Sequence, residues 1–184
     1  AEETKVDAFH YAVGADYQGA DKDEKWRKIF REIRKHFSGE VGEMVWSFKD
    51  YGIVPEAKSI TWGDELDYFY IAIDAPISLE DNPSDEELKE MAGKVLDGVR
   101  ELYDTYNKSI FVRTTYFNVK KTWKGVSFYD IGSVPWISEP EKALDESIYE
   151  LSKTDQARVV NAYFRAIAER PYIIGYAQFG YTHW

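Results

Sequence analysis

Residues 109–118 read SIFVRTTYFN, a run that opens on apolar, β-branched and aromatic residues and closes on two threonines, a tyrosine and a phenylalanine. Its first half is apolar on both faces, as in a parallel strand covered by helices, rather than alternating strictly with polar residues. Four further runs share this character: DAFHYAV from Asp7, EMVWSF from Glu43, LDYFYIAID from Leu66 and YIIGYAQFG from Tyr172. Helical periodicity fills most of the intervals. Trp26, Ile29, Phe30, Ile33 and Phe37 fall on one stripe, and Leu88, Met91, Val95, Val99, Leu102 and Tyr106 on another. A third stripe carries Val160, Tyr163, Phe164 and Ile167.

Polar residues mark the ends of these helices. SDEE from Ser84 has the spacing of a capping box, and Ser152 and Thr154 are cap candidates for the last helix. Between Asp50 and Gly63 there is room only for a short helical turn, interrupted by Pro55. The order is β-α-β-(short α)-β-α-β-α-β, which predicts an α/β fold with a parallel sheet and right-handed crossovers. The longest insertion, 116–151, contains GSVPWISEPEK, read as a surface loop with a short helix.

The chain has 184 residues, 44% of them hydrophobic, enough for one domain spanning 1–184 with a substantial core. Acidic residues outnumber basic ones by 33 to 23, and the net charge of −10 opposes binding to nucleic acid or an anionic membrane surface. Cysteine is absent, which excludes disulfides, thiolate zinc sites and thiol nucleophiles. No apolar stretch reaches the roughly 18 residues needed to span a bilayer, so membrane insertion is not expected. The six Trp and 14 Tyr exceed what such a core needs and suggest exposed rings that stack on sugars or pack at protein interfaces.

Several alternatives find no support in the residues. His10, His36 and His183 have no metal-ligand spacing, and the acidic runs DKDE and EDNPSDEE lack the spacing of a calcium loop and lie where helix N-termini favour acids. No phosphate loop, dinucleotide fingerprint or Ser-His-Asp spacing is present. No metal and no cofactor are expected.

The stretches AFHYAVGADYQ, WRKIFREIRKHFSGEVGEMVWSF, ELDYFYIAIDAPISL, NKSIFVRTTYFN, VPWIS, DQARVVNAYFRAI and YIIGYAQFGYTHW resemble, in that order, the second half of a (β/α)8-barrel glycoside hydrolase. The nearest likeness is to the mannanase-like family 113 and its relatives in the large retaining clan. The resemblance implies a partial barrel made of strands four to eight. Because a full barrel needs about 250 residues, it also implies either a missing N-terminal barrel segment or self-association through an open sheet edge.

The same resemblance assigns a site at the carboxyl ends of the strands. Asp16, in GAD, stands at the general acid/base position, one methylene shorter than the family's glutamate. Thr114 stands where the family has its nucleophilic glutamate, and Asp74, in IDAPISL, matches a family aspartate. Trp46, Tyr116, Trp136 and Phe179 are the implied sugar contacts, Phe179 aligning with a tryptophan platform. Retaining hydrolysis requires two carboxyl groups about 5 Å apart, and threonine cannot stabilise an oxocarbenium-like transition state by charge.

The expectation is thus a glycosidase-like barrel that binds an oligo- or polysaccharide, with retaining hydrolysis impaired or lost. Any surviving chemistry would be an inverting type with Asp16 as acid and Asp74, or a carboxylate from a segment outside this chain, as base. Two alternatives stand beside it: a structural protein using the scaffold for protein contacts, and an active hydrolase completed by residues outside this chain. The resemblance implies an extracellular or cell-envelope location.

Overall fold

The computed structural model describes residues 6–12, 20–47, 60–73, 76–124 and 150–178. Five strands, β1 (Ala8–Ala12), β2 (Glu40–Ser47), β3 (Tyr68–Ile73), β4 (Ser109–Thr114) and β5 (Ile173–Gln178), form one all-parallel sheet in the order β1-β2-β3-β4-β5. Among the described residues, four helices lie between them in sequence: α1 (Asp23–His36), α2 (Asp85–Asp97), α3 (Arg100–Tyr106) and α4 (Lys153–Ile167). All five expected strands are present, and the fold is α/β as expected. Among the described residues no helix is long and apolar enough to cross a membrane.

The chain divides into two compact units, one comprising 1–73, 98–113 and 172–176 and the other 74–97, 114–171 and 177–184. In the first unit, the register pairs Tyr11 with Glu43 and Glu43 with Phe69, which fixes the two faces of the sheet. Val41, Val45, Phe69, Ile71, Ile110 and Val112 are all fully buried on the helix-covered face. There Trp26 of α1 packs between Tyr11 and Trp62, with ring centroids 5.3 and 5.8 Å away. Arg27 locks α1 to the segment before β3: it donates to Asp23 at 2.9 Å, to Asp64 at 2.8 Å and to the Thr61 carbonyl at 2.6 Å.

The opposite face is occupied by a row of rings. His10 stacks on Tyr70, with centroids 4.6 Å apart and planes 14° from parallel, and Tyr70 stacks on Phe111 at 5.2 Å and 23°. Two glycines make room for rings on this face. A Cβ on Gly42 would strike the Tyr68 ring, and one on Gly175 would overlap the Phe111 ring.

In the second unit α2 packs against α4. Arg158 pairs with Asp85 and Arg170 with Asp97, so the two helices run in the same direction. The expected capping box forms: Ser84 N–H donates to Glu87 at 2.7 Å and Glu87 N–H to the Ser84 hydroxyl at 3.2 Å. Ser152 caps α4 by accepting from Asp155 N–H at 3.1 Å. The single long helix expected over 88–106 is instead two, separated by Gly98 and Val99. The buried stripe of α2 is Leu88, Ala92, Gly93 and Leu96, leaving Met91 36% exposed. A Cβ on Gly93 would lie 2.8 Å from the Arg170 guanidinium, the movable end of that side chain.

Asp81 accepts from the ammonium groups of Lys121 at 2.8 Å and Lys124 at 2.7 Å, which hold its carboxyl down at about 2. A carboxyl whose folded value lies below its unfolded one stabilises the fold above the unfolded value, and that contribution is lost as pH falls toward the folded one. A carbon-detected NMR titration should place the Asp81 midpoint near 2 and return it to about 4 in the double variant Lys121→Gln/Lys124→Gln; an ordinary midpoint in the unmodified chain would contradict this pairing. Substituting Gly175→Ala should lower stability by about 1–3 kcal/mol in denaturant melts, with part of the loss recovered when Phe111 is also shortened to Leu.

Candidate functional site

β4 decides what the described part of the site can do. Successive side chains of a strand point to opposite faces, so Thr114 shares the side of Ile110 and Val112 while Phe111 and Arg113 take the other. Thr114 is fully buried. Its hydroxyl donates to the Gln178 side-chain oxygen at 2.8 Å, and the Gln178 amide in turn donates to the Tyr116 carbonyl at 2.9 Å. A second amide, from Gln156 of α4, reaches the same carbonyl at 2.7 Å.

Tyr116 is 1% exposed, so its ring is part of the interior of its unit and presents no open face to a ligand. It lies 5.7 Å from the Tyr163 ring, and the two hydroxyls are 3.0 Å apart. The structure thus joins Thr114 and Tyr116 through Gln178, as members of one part-buried hydrogen-bonded group. A hydroxyl becomes a nucleophile only when a base takes its proton. A carboxamide oxygen accepts a hydrogen bond and is no such base.

Asp16, Asp74, Trp136 and Phe179 are outside the described residues, as is the side chain of Trp46, whose backbone belongs to β2.

Two buried ionisable residues were not singled out from the sequence. Glu43 is fully buried on the helix-covered face of β2 and accepts a hydrogen bond from the Trp62 indole. Arg113, 6% exposed, projects to the ring-lined face, where it donates to the Met44 sulfur at 3.7 Å. Burial raises the Tyr70 phenol above its ordinary value, and the Arg113 charge offsets part of that rise. The sequence signal for both was a charged residue inside an otherwise apolar strand run, GEMVW and IFVRT. Gln178 had a related signal, an uncharged polar residue closing the run IGYAQ.

No protein-family model matches the chain, and no curated protein is significantly similar to it.

Replacing Thr114 by Val should cost about 1–2 kcal/mol, because the Gln178 oxygen loses a donor in a buried setting. Replacing it by Glu should cost more, about 3–5 kcal/mol, by placing an unpaired carboxylate there, and should not produce glycosidase activity. Denaturant melts and a chromogenic-glycoside assay read both effects; a stable, hydrolytic Thr114→Glu protein would show that the position opens to substrate.

Proposed function

We propose that this chain is a glycosidase-like carbohydrate-binding scaffold, part of a β/α barrel, that has lost retaining hydrolysis. The observation that carries the reading is the state of Thr114: where a double-displacement enzyme of this kind needs an accessible carboxylate, the chain has a buried hydroxyl that donates to Gln178. The five-stranded parallel sheet with intervening helices supports the barrel part of the reading. The excess of aromatic residues supports the sugar part, since a pyranose offers apolar C–H faces that rings accept. In this reading Asp16 and Asp74 bind sugar hydroxyls, with Trp46, Trp136 and Phe179 as stacking partners.

A second reading, protein assembly on the same scaffold, is favoured by the two edge strands. Phe9 and Tyr11 on β1 are 38% and 37% exposed, and Ile174 on β5 is 58% exposed. Exposed apolar residues on sheet edges invite pairing with another chain.

Binding to a panel of β-linked and α-linked oligosaccharides, followed by NMR shift perturbation, tests the first reading. At least one oligosaccharide should bind with Kd on the order of 10 μM to 1 mM, Asp16→Asn and Asp74→Asn should each weaken it severalfold, and the sugar should remain uncleaved. Absence of binding across the panel would end the carbohydrate reading and leave assembly in the lead.

A further inference from the structure

Helix α2 ends on Asp97, and the turn that follows it begins with Gly98. No other Asp and no Asn in the chain stands immediately before a glycine. The pairing matters chemically because a glycine nitrogen has no Cβ beside it to hinder its approach to the preceding side chain, and glycine adopts unusual backbone angles at little cost. The Gly98 backbone nitrogen can therefore attack the Asp97 side-chain carbon, Cγ. An N–Cγ bond forms and a Cγ–O bond breaks, the oxygen leaving as water with the amide proton and the proton of the carboxyl group. Water then reopens the five-membered imide at either carbonyl. One opening restores Asp97; the other leads the backbone through the side chain as isoaspartate, one methylene longer.

Asp97 and Gly98 are both exposed, so water reaches them. What stands against the reaction is Arg170. Its Nε donates to one Asp97 oxygen and its Nη2 to the other, both at 2.8 Å. The third nitrogen, Nη1, donates to the Ala166 carbonyl of α4 at 2.7 Å, and the Arg170 backbone N–H donates to the Ile167 carbonyl at 2.8 Å. The Arg170 side chain is only 14% exposed against 58% for Asp97, so the holding arm is seated in its unit while the group it holds lies at the surface. A planar fork that meets both oxygens fixes the orientation of a carboxylate as well as its position. Cγ can turn toward the Gly98 nitrogen, and an oxygen take up the proton it needs to leave, only once the fork lets go.

We infer that Asp97 is a site of spontaneous isomerisation in this chain and that Arg170 is the positioning residue that restrains it. Release would have a structural cost. Leu96 and Val99, on either side of the pair, are fully buried, and a methylene added to the backbone between them would displace one or the other from a packed position.

Ageing the full chain in neutral buffer, with isoaspartate read by peptide mapping and by enzymatic methyl transfer to its free α-carboxyl group, tests this. Arg170→Gln should accumulate isoaspartate at Asp97 roughly fivefold faster than the unmodified chain, the factor that follows from losing about one net hydrogen bond of restraint. Arg170→Lys, which keeps the charge but not the fork, should fall between the two, and it carries the comparison if circular dichroism shows Arg170→Gln unfolded. Adding Gly98→Ala to Arg170→Gln should remove most of the gain. In denaturant, where no fork exists, the unmodified and Arg170→Gln chains should isomerise at the same rate. Gly175→Ala, which loosens the sheet without touching Asp97, should age like the unmodified chain. Equal rates for the folded unmodified chain and the Arg170 variants, isoaspartate arising at residues other than Asp97, or Gly175→Ala ageing as fast as Arg170→Gln would each overturn the proposal.

Discussion

The alternation of side chains along β4 is the constraint on which the rest depends. Because Ile110 and Val112 must face the helix-covered side, Thr114 is carried to that side as well, and Phe111 and Arg113 go to the other. A shift of one residue would reverse this, exposing two aliphatics and turning the Thr114 hydroxyl toward the ring-lined face. The sheet is therefore held in register by burial on one face and by ring stacking over glycines on the other. Phe111 closes the row from His10 through Tyr70 and requires Gly175 beside it. The chemistry available at the end of β4 follows from that parity before any question of substrate arises.

The strands were legible because a buried parallel strand has a compositional signature that needs no partner to be recognised. Their order and the Ser84 capping box were legible for the same local reason. Less legible was where each stripe of a helix would face. The reading by large apolar residues placed Met91 inside, but α2 packs through Leu88, Ala92, Gly93 and Leu96. Small residues permit close approach to α4 and to Arg170, a requirement set by the partner helix rather than by α2 itself. Phe164, likewise expected on the buried face of α4, is 55% exposed because Val159, Ala162, Tyr163 and Ala166 form the contact.

The candidate site was legible as a position but not as a state. Thr114 could be placed at the end of a strand from the sequence, yet its burial depends on Gln178, 64 residues further along, and on the amide of Gln156 reaching the same loop. No local pattern announces a partner at that separation. Charge behaves similarly. Net composition weighs against anionic partners for the chain as a whole, while the pairing of Arg27, Arg31 and Arg34 of α1 with Asp64, Glu65 and Asp67 emerges only from the structure.

Binding of the Thr114 hydroxyl by Gln178 is the point on which the proposed loss of retaining chemistry rests, and NMR observes it directly. Cross-relaxation between the Thr114 γ-methyl and the Gln178 side-chain amide, with slowed exchange of that amide with water, is the expected result. A Gln178 amide that exchanges at the rate of a solvated side chain and shows no contact with Thr114 would mean the hydroxyl is open to substrate, contrary to the assignment made for it.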